Sequence, residues 1–499
     1  MISNLKKPDL SKEKLFVLLR SLTVKQLGRW QKLLHSPYFH QTQELQALFA
    51  YMKPFHPQYP TDVMSHEQLA QHFYADKKGS IKKIKNYKAD MVQLLEEWLI
   101  QEQLKQDPTQ RQYYLAKAYQ DLPLPKYAQS TFQKAQKKAE AQVYRDLPFF
   151  LHQMQMTHLQ YFHPDTGKFL QNQELLNNLM DHLDQFYFLA KYKYALDMLE
   201  REEKFEEQYY ITLWEEVQCF QKQQAKAKQW PLLILYQRLI ELKAKKTIDA
   251  SLFHQLQTLF FNQISLLRPE DQQAIFKYLI NYTIKAINSG EARFIPIQFA
   301  LYQKGIPHHL LVLNQRITVI TFYNVVSIAA RLAEFDWIEQ FIEEYQSFLP
   351  PTDRSDTIAI CKAFVAFNQG FYEATLRLLL PVQLKNSALH LICIPLQVKS
   401  LFMIYLQDHS YDSTIYSKLN SLTRRLQKRY SLSEQNKVGY KKYIDQLRRL
   451  LRAHQSPRTS IQKIEQIRDS IEQSQQIIHQ KWLIDVANQL IALKGAPQK

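Results

Sequence analysis

Glycine is nearly missing from this chain: eight residues in 499, where ordinary usage of ~7% would place about 35. No two of the eight lie closer than the fifteen positions between Gly290 and Gly305. Glycine supplies the positive-φ turns of β-hairpins and the close backbone approach of phosphate-binding loops. Isolated glycines therefore exclude the P-loop, the dinucleotide-binding fingerprint and the nucleophile elbow, each of which needs two or more within a few positions.

Cysteine is equally sparse. Cys219, Cys361 and Cys393 stand far apart, so no CxxC redox or zinc pattern exists. Their apolar neighbours predict three buried small side chains, and the odd number fits a reducing compartment. The amino terminus from Met1 to Asp9 carries no apolar core of a secretory signal. The apolar stretch 388–406 is interrupted by His390, Pro395, Gln397 and Lys399, short of the about 20 uninterrupted residues of a bilayer span. The expectation is a soluble cytoplasmic protein with no membrane span.

Catalytic constellations are missing too. None of the sixteen histidines is paired at i,i+3 or i,i+4, and no Glu stands three residues before a His, so no metal or other cofactor is expected. Asp165-Thr166-Gly167 spells the aspartic-protease triplet once, where that chemistry needs two. Acids cluster at Glu200, Glu202, Glu203, Glu206 and Glu207, but Arg201 and Lys204 are interleaved as on a solvated helix face. The chain reads as a non-enzyme.

What is present is helix-forming sequence. Leu, Gln, Lys, Glu and Tyr abound, and 45% hydrophobic and 13% aromatic content argues for folded cores. The predicted fold is all-α. Residues 1–108 form an N-terminal helical module. Within it, Thr23 caps a helix to about His35, Ser65 with Gln68 opens a short helix, and Ser80 caps a long one, so 65–104 has a helix-turn-helix-like order. Residues 109–315 form an irregular α-helical repeat region punctuated by prolines. Residues 316–455 form helical hairpins, and 456–499 a single C-terminal amphipathic helix with Ile464, Ile471 and Ile478 seven apart.

The hairpins carry a weak repeat. Glu334-Phe335-Asp336 and Asn368-Gln369-Gly370 each separate two helical stretches, with Trp337 and Tyr372 in matching places 35 residues apart. Gly370-Phe371-Tyr372-Glu373 resembles the turn of a tetratricopeptide repeat over about 317–430, with Thr375 where that repeat prefers Ala. The resemblance implies a right-handed α-solenoid of such hairpins. The whole chain also resembles a family of uncharacterised bacterial helical proteins. It shares an SPYFN-like turn, here Ser36-Pro37-Tyr38-Phe39 with His40 for Asn, and the segment Glu334 to Tyr345. That resemblance implies a helical fold and no activity.

Two functions follow. Stacked hairpins expose one face of their first helices, and on the 318–333 helix Tyr323, Asn324, Ser327 and Arg331 mix polar and aromatic groups suited to a protein or peptide partner. The alternative is a nucleic-acid-associated regulator, favoured by a net charge of +17. Lys82, Lys83 and Lys85 lie early in the long helix of the N-terminal module, in a basic run with Lys77, Lys78 and Lys88. Eleven Lys and Arg stand against two acids between 420 and 460, among them Arg424, Arg425, Lys428, Arg429, Lys441, Arg448, Arg449 and Arg452. Tyr430, Tyr440 and Tyr443 are interleaved as possible stacking platforms. The opposing expectation is a solvated basic wall with Leu426, Leu447, Leu450 and Leu451 facing the core.

Overall fold

A computed structural model describes residues 10, 12–39, 42–74, 80–162, 173–205, 207–223, 230–245, 247–383, 387–408, 410–427, 434–456, 458–474 and 477–495. Among these the chain forms twenty-four α-helices and no strand. It divides into two compact units, one of residues 1–141 with 152–179, the other of residues 142–151 with 180–499. The boundary expected at 108 thus falls inside the first unit, and the one at 315 inside the second.

The first unit opens with α1 (Lys14–Ser21), α2 (Val24–Leu34), α3 (Gln43–Met52), α4 (Thr61–Met64), α5 (His66–Phe73) and α6 (Ser80–Gln106). Thr23 and Gln26 close a reciprocal capping box at the start of α2, and Ser65 accepts from the Gln68 N–H at the start of α5, satisfying amides that a helix end leaves orphaned. Trp30 and Phe49 meet edge-on at 4.4 Å in the core beneath these helices. Asp107 caps α7 (Pro108–Asp121) through the Thr109 and Gln110 amides. Helix α7 packs on both α6 and α8 (Pro125–Ala141), which is why the module does not end at 108. Lys88 does not join the basic surface: it is buried, paired with Glu13 at 3.1 Å and donating to the Met64 carbonyl at 3.0 Å.

Helices α9 (Leu147–Tyr161) and α10 (Gln173–Phe205) run on from there. The triplet at Asp165 lies outside the described residues. The second unit continues with α11 (Trp214–Gln223), α12 (Pro231–Ala244), α13 (Ala250–Gln263), α14 (Pro269–Asn288), α15 (Phe294–Gly305), α16 (Val319–Arg331), α17 (Phe335–Tyr345), α18 (Arg354–Asn368) and α19 (Tyr372–Leu379). It closes with α20 (Ser387–Asp408), α21 (Asp412–Gln427), α22 (Glu434–Gln455), α23 (Ile461–Glu472) and α24 (Gln480–Gly495). Each of α14, α16 and α18 packs on the helix that follows it, and α16, α18 and α20 pack on one another.

Three of the turns share one backbone pattern. Gly290, Ala333 and Gly370 are left-handed, with φ of 94°, 58° and 85°. The next amide in each case reaches back across the turn: Glu291 to the Ala286 carbonyl (3.0 Å), Glu334 to Ala329 (3.1 Å) and Phe371 to Ala366 (2.9 Å). This is the Schellman closure of a helix C-terminus. It corrects the repeat register, because Tyr372 corresponds to Phe335 rather than to Trp337. The left-handed position, which the sequence marks only where it is glycine, is Ala333 in the middle turn.

The C-terminal segment is also corrected. It is two helices, α23 and α24, packed against each other, not one. The Gln480 side chain donates to the carbonyls of Ile471, Glu472 and Ser474 at 2.7, 3.2 and 3.2 Å, satisfying the open end of α23. Ile464 and Ile471 are buried in a core shared with α20, α21 and α22. Helix α20 holds a stretch long and apolar enough to cross a bilayer, Leu389–Asp408, yet 67% of it is buried within the unit. It is a core helix, packed on α16, α18, α19 and α21.

A cationic cavity as candidate functional site

The second unit contains a cavity of about 330 Å³. Its walls come mainly from the first helices of successive pairs. Helix α16 contributes Tyr323, Asn324, Ser327 and Arg331, all four of the residues that sequence spacing assigned to a partner. They fall on one stripe of the helix. The other faces carry Phe322, Val325, Val326 and Ala329, all buried. Thr318 starts α16 by accepting from the Thr321 amide at 3.1 Å. Helix α18 adds Phe364, whose ring meets Tyr323 edge-on at 5.5 Å.

Helix α20 supplies the opposite wall with Leu391, Pro395 and Lys399, spaced by four and so on one face. Pro395 sits inside the helix and cannot donate to the Leu391 carbonyl. Tyr440 of α22, itself a lining residue, donates its hydroxyl there instead at 3.3 Å. His479 completes the cavity from the turn before α24, with a left-handed φ of 59°. Among the described residues its buried Nε2 has no hydrogen-bond partner, and its ring meets that of Tyr443 in a T-shaped contact at 5.3 Å.

The electrostatics are one-sided. None of the lining residues is Asp or Glu. Lys399 is half-buried, its ammonium 5.3 Å from the Trp482 ring. Burial, and then the charge of Arg331, push its pKa down from 10.5 to about 7. Burial, Lys399 and Arg331 in that order hold His479 well below the usual imidazole range, so the ring is neutral at pH 7. Burial raises the pKa of the Tyr323 hydroxyl. Among the described residues no carboxylate pairs with Arg331 or Lys399. Arg331 is exposed, while Lys399 is half-buried.

The other predicted residues lie elsewhere. Lys82, Lys83 and Lys85 are exposed on the first turns of α6, Lys83 5.3 Å from the Tyr74 ring. Arg424, Lys441, Arg449 and Arg452 are exposed, and Arg448 is half-buried, donating to the Asn420 side chain at 2.7 Å. Arg425 is half-buried against His390 at 2.8 Å. Lys428, Arg429 and Tyr430 lie outside the described residues. Of the interleaved tyrosines, Tyr440 and Tyr443 are no stacking platforms: Tyr443 is 0% exposed and Tyr440 lines the cavity. Their apolar rings follow the buried face of α22, as do Leu447, Leu450 and Leu451; Leu426 is likewise buried on α21.

The acidic cluster on α10 is a set of ion pairs. Lys243 reaches Glu200 at 3.0 Å and Glu203 at 2.5 Å, and Lys285 reaches Glu203 at 2.9 Å. Burial raises the Glu203 carboxyl, but the two lysines outweigh it and hold it below its ordinary value, the reverse of what a general acid needs. Cys361 and Cys393 are buried as expected, whereas Cys219 is exposed on α11. Among the described residues no three His, Cys, Asp or Glu side chains converge as metal ligands would. No family model, curated protein or solved structure matches the chain.

Sequence spacing does not place Lys399, Tyr440 or His479 beside the α16 stripe. Lys399 leaves one signal, a lone cation in the apolar run of α20. Tyr440 and His479 come from distant segments, and their meeting with α16 is a matter of tertiary packing.

Proposed function

We propose that this protein is a non-enzymatic helical-repeat scaffold, a right-handed solenoid of tetratricopeptide-like hairpins, that receives a segment of a protein partner in the cavity of its second unit. The observation that carries this reading is the convergence of Tyr323, Asn324, Ser327 and Arg331 with Phe364 and Lys399 on one cavity. Aromatic surface with a few placed polar groups is what binding pockets of this size present. The three matching turns at Gly290, Ala333 and Gly370 support the repeat reading.

The test is affinity capture with the full-length protein and with Ser327→Trp, whose indole fills the cavity, each with and without nuclease. Partners that survive nuclease and are lost with Ser327→Trp support docking in the cavity. Partners indifferent to Ser327→Trp count against it. Partners that vanish with nuclease favour the nucleic-acid reading, and in that case Lys82, Lys83 and Lys85 changed to Glu abolish retention.

A further inference from the structure

Among the described residues, two cations line the cavity without an acid to answer them. Lys399 is half-buried, and such a group is usually paired when water is withdrawn from it. The Tyr440 hydroxyl already donates to the Leu391 carbonyl. The donors lining the cavity include the guanidinium of Arg331, the ammonium of Lys399, the amide of Asn324 and the imidazole of His479. With Lys399 held protonated by a bound anion, a monoanion on this set would leave one positive charge unanswered. A phosphate monoester carries about −1.5 to −2 and three acceptor oxygens. We propose that the cavity is a receptor for a phosphate monoester, its headgroup held between Arg331 and Lys399 with Asn324 and His479 as neutral donors. The organic part of the ester lies against Tyr323, Phe364 and Ile392. This rests on the reading of the cavity as the binding site and adds the chemistry of its occupant.

Two sources present that chemistry: a phosphorylated side chain of a protein partner, and a small free ester. Both are separated from simple anion attraction by one set of measurements on the full-length protein. Phenyl phosphate and inorganic phosphate are titrated calorimetrically near pH 7 against benzoate and acetate at matched ionic strength. The expected result is that phenyl phosphate binds at least about tenfold tighter than benzoate, because the second charge is answered. Lys399→Met and Arg331→Gln each weaken phenyl phosphate about tenfold or more. Arg331 is exposed, so its substitution tests the site even where a change at Lys399 disturbs the fold. Equal binding of benzoate and phenyl phosphate overturns the proposal, as does binding unchanged in both variants or no binding of either phosphate probe.

The sources separate in the capture assay. A partner released by phosphatase, or displaced by phenyl phosphate, identifies a phosphorylated side chain. If Ser327→Trp leaves capture intact while phenyl phosphate still binds through Lys399, the ligand is a small ester and the docking reading alone fails. If Ser327→Trp abolishes capture but phosphatase and Lys399→Met do not, docking stands and the phosphate proposal is overturned.

Discussion

The Tyr440 hydroxyl donates to the Leu391 carbonyl at 3.3 Å, the acceptor that Pro395 leaves without its helical N–H. A proline inside a helix removes one bond and strains the turn, a cost of about 3 kcal/mol or more. Here a side chain from α22 takes over that acceptor, which ties α22 to α20 at the cavity wall.

Removing the hydroxyl with Tyr440→Phe is expected to destabilise the protein by about 1–2 kcal/mol, since a helical carbonyl is left unanswered. In a Pro395→Ala background the alanine amide can bond Leu391, and the same change costs markedly less. Urea unfolding of the four proteins in the cycle measures the coupling. Costs that simply add would sink the substitution argument.

Lys399 predicts a pH dependence of stability. Its folded pKa lies near 7 and its unfolded value at 10.5. Between these the unfolded chain binds a proton that the folded chain does not, so its contribution to stability rises with pH across the window. The penalty is complete below about pH 7. Lys399→Met is therefore expected to be more stable than the parent near pH 6, by on the order of 2 kcal/mol. That advantage should shrink as pH approaches 10. Denaturant curves at the two pH values decide it, and a constant difference would contradict it.

At the helix ends, Ala333 has a φ of 58°, where a Cβ is unfavourable by roughly 1 kcal/mol. Ala333→Gly should raise stability by about 0.5–1 kcal/mol. Gly370→Ala should lower it by a similar amount through backbone strain alone, because nothing lies within 4 Å of the new Cβ. Thermal or urea unfolding reads both signs.

Gly305 is held by packing. A Cβ there would come within 2.5 Å of the Phe276 ring, which is buried at 3% exposure. Gly305→Ala is expected to cost about 1–3 kcal/mol as an overpacking change. Phe276→Leu in the same chain should recover part of it.

Thiol labelling of the native protein should show one fast cysteine. Cys219 is exposed, whereas burial raises the Cys361 thiol strongly and pushes Cys393 up to about 11. Disulfide-exchange reagents attack through the thiolate, so mass mapping is expected to find Cys219 modified first and the other two only on unfolding.

Helix ends were legible wherever one residue does the work. Thr23 and Ser65 cap as their hydroxyls predict. The stripe of Tyr323, Asn324, Ser327 and Arg331 could be read because four residues on one helix share a face by periodicity alone. The repeat register could not, since spacing of aromatics suggested 35 while the backbone turns align Ala333 with Gly370. Nor could the break before α24, where the Gln480 side chain stands in for continued helix.

The amino-acid order by itself determined an all-helical chain, because scarce glycine and helix-forming composition leave the backbone few other ways to satisfy its N–H and C=O groups. Only the tertiary structure decided that Lys399, Arg331 and His479 share one acid-free cavity. Local sequence sets which face a side chain takes on its own helix, but which faces meet depends on the packing of helices far apart in the chain.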